Sequence, residues 1–241
     1  MGEKMPKVLI VVPVYNEEKE LGENILKLKS FLEQLKDLEW QIVIADNASV
    51  DKTPEIARKL AGENKQISFF RLEEKGRGRA VKKAWQSYEA DVFAYMDVDL
   101  STDIRHLPSL VKAINDGFDI AIGSRLLSGS QVIGRTIKRT ILSRGYNFLI
   151  KILFGTHFSD AQCGFKAVNR RVVRELLLKI LDNEWFFDSE LLIVGEKSGF
   201  KIYEEPVTWR DNPGSTVRVL KTVTGDLKGL LRLFLSRPWR K

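Results

Sequence analysis

Two acids at positions i and i+2, Asp97 and Asp99, follow the unbroken apolar run Val92-Phe93-Ala94-Tyr95-Met96 and precede the acceptor-rich stretch Leu100-Ser101-Thr102-Asp103. Carboxylates so spaced at the end of a buried strand supply oxygen ligands for a hard divalent cation, Mg2+ or Mn2+, that keeps some of its waters and grips a diphosphate. Read alone, the pair is more often a solvated turn than a metal site, and its surroundings decide. The open carboxyl ends of α/β sheets are where ligands bind. Two more strand ends carry polar groups. Pro13-Val14-Tyr15-Asn16-Glu17 closes the first apolar run with a proline that ends ladder pairing, then an aromatic face, an amide and a carboxylate. These suit the ribose and base of a nucleotide, while Asn16 serves equally as a helix cap. Asp46-Asn47-Ala48-Ser49 offers a carboxylate able to accept the imide N–H of uracil or to close an Asx turn. Lys75-Gly76-Arg77-Gly78-Arg79-Ala80 is a basic, glycine-rich helix entrance of the kind that holds phosphate on free N–H groups. Val81 stands where a dinucleotide fingerprint has its third glycine, which excludes a Rossmann dehydrogenase.

The elements that position these groups alternate regularly. Val8 to Val12 reads as a strand, and Glu17 to Lys36 as a helix burying Leu21, Ile25, Leu28, Phe31, Leu32 and Leu35. Gln41 to Ala45 is a second strand, and Thr53-Pro54-Glu55 an N-cap with proline at the first helical position. Ile67 to Leu72, Val92 to Met96 and Asp119 to Gly123 are further strands, separated by helices from Arg79 to Tyr88 and around Ile104 to Asn115. This rhythm predicts an α/β fold, a mostly parallel sheet with helices on both faces. Beyond Arg125 the rhythm changes, with no linker or repeat. Two later segments read as helices with apolar faces. Arg218 to Ser236 groups Val219, Val223, Leu227, Leu230, Leu231 and Phe234 beside Lys221, Lys228 and Arg232. Arg135 to Phe154 is apolar except for a stripe through Thr140, Ser143, Arg144, Asn147 and Lys151. Both fit a helix lying in a lipid headgroup layer, and both fit a packed helix with snorkelling lysines.

At 241 residues and 44% hydrophobic, the chain is long enough for one large domain, and its net charge of +7 points to an anionic partner. Between Asp119 and Asp160 there is no acid, yet Arg125, Arg135, Lys138, Arg139, Arg144 and Lys151 all fall there. The single cysteine, Cys163, excludes an internal disulfide and fits a reducing compartment. No signal peptide is visible, and no apolar run approaches the roughly 18 residues that span a bilayer. Nucleic acid is not an expected partner, since it leaves the paired aspartates unexplained.

Taken together, Val12-Pro13-Val14-Tyr15-Asn16-Glu17, Asp46, Lys75-Gly76, Asp97-Val98-Asp99 and Gly123-Ser124-Arg125 resemble family 2 glycosyltransferases in order and spacing. The resemblance extends through Asp160-Ala161-Gln162-Cys163-Gly164-Phe165-Lys166 and Trp185-Phe186-Phe187-Asp188-Ser189-Glu190. With Trp209 and Gly214-Ser215, these look most like the dolichyl-phosphate glucosyltransferase branch, beside the dolichyl-phosphate mannose synthases. The resemblance implies a single GT-A domain transferring a sugar, with inversion, from a nucleotide diphosphate to a polyprenyl phosphate. Residues 1–125 would bind the nucleotide-sugar, 126–217 the acceptor, and 218–241 form a basic amphipathic tail. By motif position, Pro13, Tyr15, Glu17 and Asp46 would hold the nucleoside, with Lys75, Gly76 and Arg79 near the donor. Asp97 and Asp99, flanking Val98, would bind the metal. Arg125, Arg139 and Ser215 would hold the acceptor phosphate, and Asp160, Gln162, Asp188 and Glu190 would line the sugar pocket.

The chemistry fits that resemblance. A hydroxyl acceptor needs a positioned general base, for which Asp188 is the candidate, whereas a phosphate monoester is already anionic and needs cationic clamps. The two histidines, His106 and His157, fall outside the motifs, and arginines are abundant. A lipid-linked acceptor gives the basic amphipathic segments a role: docking on the cytoplasmic face of an anionic membrane. Two departures bear on the donor and the anchor. Ser101 stands where mannose synthases carry a glutamine, which favours UDP-glucose over GDP-mannose, and the eukaryotic relatives begin with a membrane-spanning segment that this chain lacks.

Overall fold

The structure is a computed structural model that describes residues 5–211 and 219–240. The strands are β1 (Lys7–Val14), β2 (Glu39–Asn47), β3 (Ile67–Leu72), β4 (Val92–Met96), β5 (Ile120–Ser124), β6 (Gln131–Ile133), β7 (Phe165–Asn169), β8 (Ile202–Pro206) and β9 (Thr208–Arg210). The α-helices are α1 (Leu21–Leu32), α2 (Thr53–Glu63), α3 (Arg77–Ser87), α4 (Leu107–Asn115), α5 (Ile137–Phe154), α6 (Phe187–Lys197) and α7 (Val219–Ser236). Seven strands form one sheet in the order β3-β2-β1-β4-β7-β5-β8, parallel except for β7, which runs antiparallel to β4 and β5. Successive side chains along β1 alternate between two cores. Val8, Ile10 and Val12 pack with α1, α2 and α4 on one face, and Leu9 and Val11 with α3, α5, α6 and α7 on the other.

The alternation expected through β5 is present, although α1 is shorter at both ends than Glu17 to Lys36 and leaves Phe31 and Leu35 only partly buried, and there are three further differences. First, Pro13 does not end β1. Pairing to β4 stops at Val11, but pairing to β2 continues through Pro13 and Val14 against Ala45 and Asp46, because the ring removes a donor from one side of the strand only. Second, Thr53 is the first residue of α2 rather than its cap, and its hydroxyl receives the Glu17 N–H at 2.7 Å. Third, β7 lies between β4 and β5, a non-local insertion that no local pattern announces. The two-stranded β6–β9 sheet was likewise unannounced, since every residue of β6 is exposed.

α5 turns both polar and apolar side chains inward, with Ile150 and Phe154 in the core. Ser143 and Asn147 are buried, the Asn147 Oδ1 accepting the Ala161 N–H at 2.8 Å, while Ile137 (80% exposed), Ile141, Phe148 (65%) and Ile152 face out. α7 divides the apolar stripe expected of it: Leu230 enters the core, joined by Leu233 from outside that stripe, and Val223, Leu227, Leu231 and Phe234 are exposed. Among the described residues, no helix is long and apolar enough to cross a membrane.

Candidate active site

The carboxyl ends of β2, β1 and β4 stand side by side in the sheet. Just past each strand a residue other than glycine takes a left-handed conformation: Ala48 (φ 61°), Asn16 (φ 56°) and Leu100 (φ 49°). Such strain costs roughly 1–3 kcal/mol apiece and persists where surrounding bonds over-determine it, typically at functional sites. Here the bonds are visible. The Asn16 N–H donates to Ser49 Oγ at 2.9 Å, and the Asn16 side-chain oxygen accepts from the Val50 N–H at 2.9 Å. Asn16 therefore fastens the β1 and β2 loops together and does not cap α1. Asp46 is fully buried. Its Oδ1 accepts the Ser49 N–H at 3.1 Å, whereas Oδ2 has no hydrogen-bond partner and lies 3.7 Å from the Arg71 guanidinium. Lys75 folds over the Tyr15 ring, 4.1 Å from its centroid, and donates to the Tyr15 hydroxyl. Gly76 opens α3 with its N–H donated to the Asn47 side chain, and a Cβ there would lie 2.5 Å from the Asn183 carbonyl. Arg79 bonds back to the Lys75 carbonyl at 2.9 Å and pairs with Glu74. Tyr15, Lys75, Gly76 and Arg79 are thus brought together, with Asp46 beneath them.

Asp97 and Asp99 bracket the buried Val98. Asp97 Oδ1 accepts from Arg77 Nη2 at 2.6 Å and Nε at 3.1 Å, and Arg77 Nη1 reaches Asp188 Oδ2 at 2.6 Å. Asp188 Oδ1 in turn accepts from Lys166 Nζ at 2.8 Å and from the Tyr95 hydroxyl. The Arg77 guanidinium lies 5.0 Å from the Tyr95 ring centroid and 5.1 Å from that of Trp185. Gly164 accepts the Asp97 N–H at its carbonyl, and a Cβ there would fall 1.8 Å from Asp97 Oδ2, so only glycine fits. Asp99 accepts both the N–H (2.9 Å) and the hydroxyl (2.7 Å) of Ser101. Burial, reinforced by the charge of Asp97, raises the Asp99 carboxyl above the usual range. Burial with help from Glu20, Asp99, Asp51 and Asp97 pushes Glu17 up to about 7. Burial also lifts Asp188 to about 6 against the pull of Arg77, and depresses Lys166 to about 7.

Does this edge suit a divalent cation? Among the described residues no cluster of three or more His, Cys, Asp or Glu is placed to hold a metal. Asp97 and Asp99 do supply two hard oxygen ligands, with Arg77 already balancing Asp97 from within and the Asp99 carboxylate bonded only to the N–H and hydroxyl of Ser101 among the described residues. Two carboxylates, with diphosphate oxygens and water completing the shell, are the donor set Mg2+ takes in nucleotide sites. The residues fit.

The other expected site residues are placed differently. Arg125 grips Asp160 through two side-chain bonds, 2.7 and 2.9 Å, and although burial raises that carboxyl, Arg125 draws it down to about 2. Glu190 is held by Arg232 at 2.8 and 3.0 Å and accepts the Asp182 N–H. Both acids, expected to line the sugar pocket, have no exposed surface. The reason is physical, since an unpaired buried carboxylate is costly and each has recruited an arginine. Asp188 sits behind Arg77 for the same reason. Gln162 is partly exposed and donates to Asp226 at 2.9 Å. Arg139 pairs with Asp211, and Ser215 lies outside the described residues. Trp209, on β9, joins Asp97, Asp99, Ser101 and Gly164 around a narrow recess, with the Arg125 guanidinium 5.6 Å from its ring centroid. An open groove of about 850 Å3 leads from Asp99 past Phe31 and Ile104 to Arg210 and Asp211. Sequence reasoning passed over Arg77, Lys166 and Asp226. The available signal was a cation between two glycines at 76 and 78, and a lysine inside an otherwise apolar strand.

Comparison with known proteins supplies the family. Residues 9–177 match the Glycosyl transferase family 2 profile. Glycosyltransferase AglD of Haloferax volcanii is 34% identical over 229 residues, 94% of this chain but only 36% of that protein. Dolichyl-phosphate beta-glucosyltransferase ALG5A of Trichomonas vaginalis is 34% identical over 223 residues, 87% of this chain and 68% of that one. Glucosyl-3-phosphoglycerate synthase from Mycobacterium tuberculosis, solved with Mn2+, UDP-glucose and phosphoglyceric acid, superposes with a TM-score of 0.71 at 15% identity, covering 95% of this chain and 79% of that one. The likeness at so low an identity is one of fold, and the mostly parallel sheet with its flanking helices is the GT-A fold. With well over half of its length matched, the chain belongs to glycosyl transferase family 2 and is a glycosyltransferase.

Proposed function

We propose that this glycosyltransferase moves glucose from UDP-glucose onto a polyprenyl phosphate of the dolichyl class, with inversion, at the cytoplasmic face of an anionic membrane. The observation that carries this reading is the single sheet edge on which Asp97 and Asp99 adjoin the nucleoside-facing groups of β1 and β2 on one side and the Trp209–Arg125 wall on the other. Residues 1–125 form the donor half, 126–217 the acceptor half and 218–241 the docking tail.

Tyr15 and Glu17 flank the nucleoside, Pro13 sets their strand end, and Asp46 Oδ2, which accepts no hydrogen bond among the described residues, takes the imide N–H of uracil. Lys75, Gly76 and Arg79 lie at the diphosphate. Asp97 and Asp99 would hold Mg2+ or Mn2+, which when bound offsets the charge growing on the departing nucleoside diphosphate. The acceptor phosphate carries its own negative charge near neutral pH, so no residue need remove a proton from it. That agrees with Asp188, whose two oxygens are committed to Arg77, Lys166 and Tyr95. Arg125 and Arg139 draw the phosphate in, and Gln162 meets the sugar, braced by Asp160 and Glu190. The outward apolar residues of α5 and α7 enter the headgroup layer, with Lys138, Arg144, Lys151 and Lys228 exposed on the same helices. Each cation adds roughly 1 kcal/mol of attraction to an anionic leaflet.

The test is transfer of labelled glucose from UDP-glucose to polyprenyl phosphate in mixed micelles with Mn2+ or Mg2+. A glucosylated lipid phosphate is expected. Preferred use of GDP-mannose would move the donor assignment, and transfer only to a glycan hydroxyl would refute the lipid-phosphate acceptor.

A further inference from the structure

Two arginines, Arg125 and Arg135, lie against the Trp209 ring, and Arg139 follows on α5; two of the three are paired with acids. Arg125 is neutralised by Asp160 and Arg139 by Asp211. The third, Arg135, has no acidic partner among the described residues. Its Nε is buried without a hydrogen bond, and its guanidinium lies 5.6 Å from the Trp209 ring centroid, the same separation as that of Arg125. The local fold holds it there. β6 pairs with β9, Gly134 turns with φ 80° beside Asp211, and Arg135 follows immediately, two residues before α5 begins. Burial, followed by the charge of Arg125, depresses Arg135 to about 10. Such a cation is electrostatically unsatisfied, and the cluster as a whole is one positive charge in excess.

We propose that Arg135 is the residue that clamps the acceptor's phosphate monoester, with Arg125 and Arg139 acting as its pre-neutralised flanks. This rests on the acceptor reading above and assigns a residue to it. The chemistry follows from the geometry. A guanidinium with a free edge offers a planar fork to phosphate oxygens, which a lysine cannot match. Trp209 also borders the recess holding Asp97 and Asp99, so a phosphate on Arg135 sits across one ring from the donor. A dianion there cancels the surplus charge, whereas the charges of Arg125 and Arg139 are already shared with Asp160 and Asp211. The same chemistry serves a lipid phosphate or a small soluble phosphomonoester, and the test separates these sources.

The experiment measures initial rates with UDP-glucose and either farnesyl phosphate or 3-phosphoglycerate as acceptor, and calorimetric binding of each acceptor without donor. Arg135→Met keeps the aliphatic stem against Trp209 and removes the charge. It should raise the acceptor KM by about tenfold or more and abolish acceptor binding, with the KM for UDP-glucose within about twofold of wild type. Arg135→Lys should recover part of the acceptor affinity, and it carries the test if the methionine variant fails to fold. An acceptor KM within about twofold of wild type in both variants would overturn the assignment. If wild type uses 3-phosphoglycerate alone and Arg135→Met loses it, the Arg135 assignment stands while the lipid reading falls. If wild type binds neither phosphate, both fall.

Discussion

Arg77 puts two guanidinium nitrogens on a single oxygen of Asp97 and its third on Asp188, so the first acid of the pair at the sheet edge is tied to a buried carboxylate on α6. Asp97 is 42% exposed at its side chain and Arg77 only 7%, so the cation approaches from inside and leaves the outer side of Asp97 open. The guanidinium thus balances Asp97 and Asp188 whether or not a divalent ion is present. Arg77→Met would strand Asp188 and Lys166 as a buried pair beside an uncompensated acid. Breaking a buried ion pair in this way costs about 3–5 kcal/mol, which urea unfolding followed by circular dichroism would register. Arg77→Lys keeps the charge but cannot bridge both acids, and should lose turnover with a smaller loss of stability. Unfolding curves for Arg77→Met that overlay wild type would show the bridge to be energetically idle.

How far the sequence disclosed this site depends on the range of each interaction. Asp97 and Asp99 were visible because a five-residue apolar strand runs straight into them, a purely local pattern. Arg77 sat in a motif read for its backbone amides, and nothing local shows that its side chain turns inward to partners 20 and 111 residues away. Lys166 is fully buried on β7, whose place between β4 and β5 is itself a long-range outcome. α5 shows a different limit. Periodicity located its polar stripe but not how burial divides it: Ser143 and Asn147 are buried with Ile150 and Phe154, whereas Arg144 and Lys151 are exposed beside Ile141, Phe148 and Ile152.

The outward apolar residues of α5 make the membrane reading testable. Phe148 and Ile141 are 65% and 64% exposed, so Phe148→Glu and Ile141→Glu should leave the thermal midpoint within about 2 °C of wild type. Co-flotation with vesicles containing phosphatidylserine should drop sharply in either variant, and binding of the wild type should weaken with added salt. Flotation equal to wild type in both variants would show that this face meets something other than a bilayer.

Asp226 gives α7 a pH dependence. Burial, then repulsion from Asp182 and Asp188, raises its carboxyl from 3.8 to about 7. The folded state therefore binds a proton that the unfolded chain has released, so this group costs stability progressively as pH climbs from about 4 to 7. Asp226→Asn keeps an oxygen for the Gln162 amide and removes that cost. Its thermal midpoint should match wild type near pH 4 and exceed it near pH 8, the gap opening between those values. A constant difference across the range would mean that the carboxyl does not titrate there.

Gly164 is the narrowest constraint on the acidic pair. A methyl group at this position would fall 1.8 Å from Asp97 Oδ2 and 2.8 Å from Arg77 Nη2. Gly164→Ala must displace Asp97 or the backbone that accepts its N–H, and either shift moves one of the two oxygen ligands offered to a cation. Geometry errors of about 1 Å at such a site cost on the order of a hundredfold in turnover. Asp99→Ala should be at least as damaging to turnover while removing a carboxylate disfavoured by burial and then by the charge of Asp97, so its melting midpoint should not fall. Chelation with EDTA should silence the wild type and be reversed by Mn2+, whereas Gly164→Ala should need a higher Mn2+ concentration for half-maximal rate. If Gly164→Ala keeps the wild-type metal dependence and rate, Asp97 does not occupy the position on which the donor reading depends.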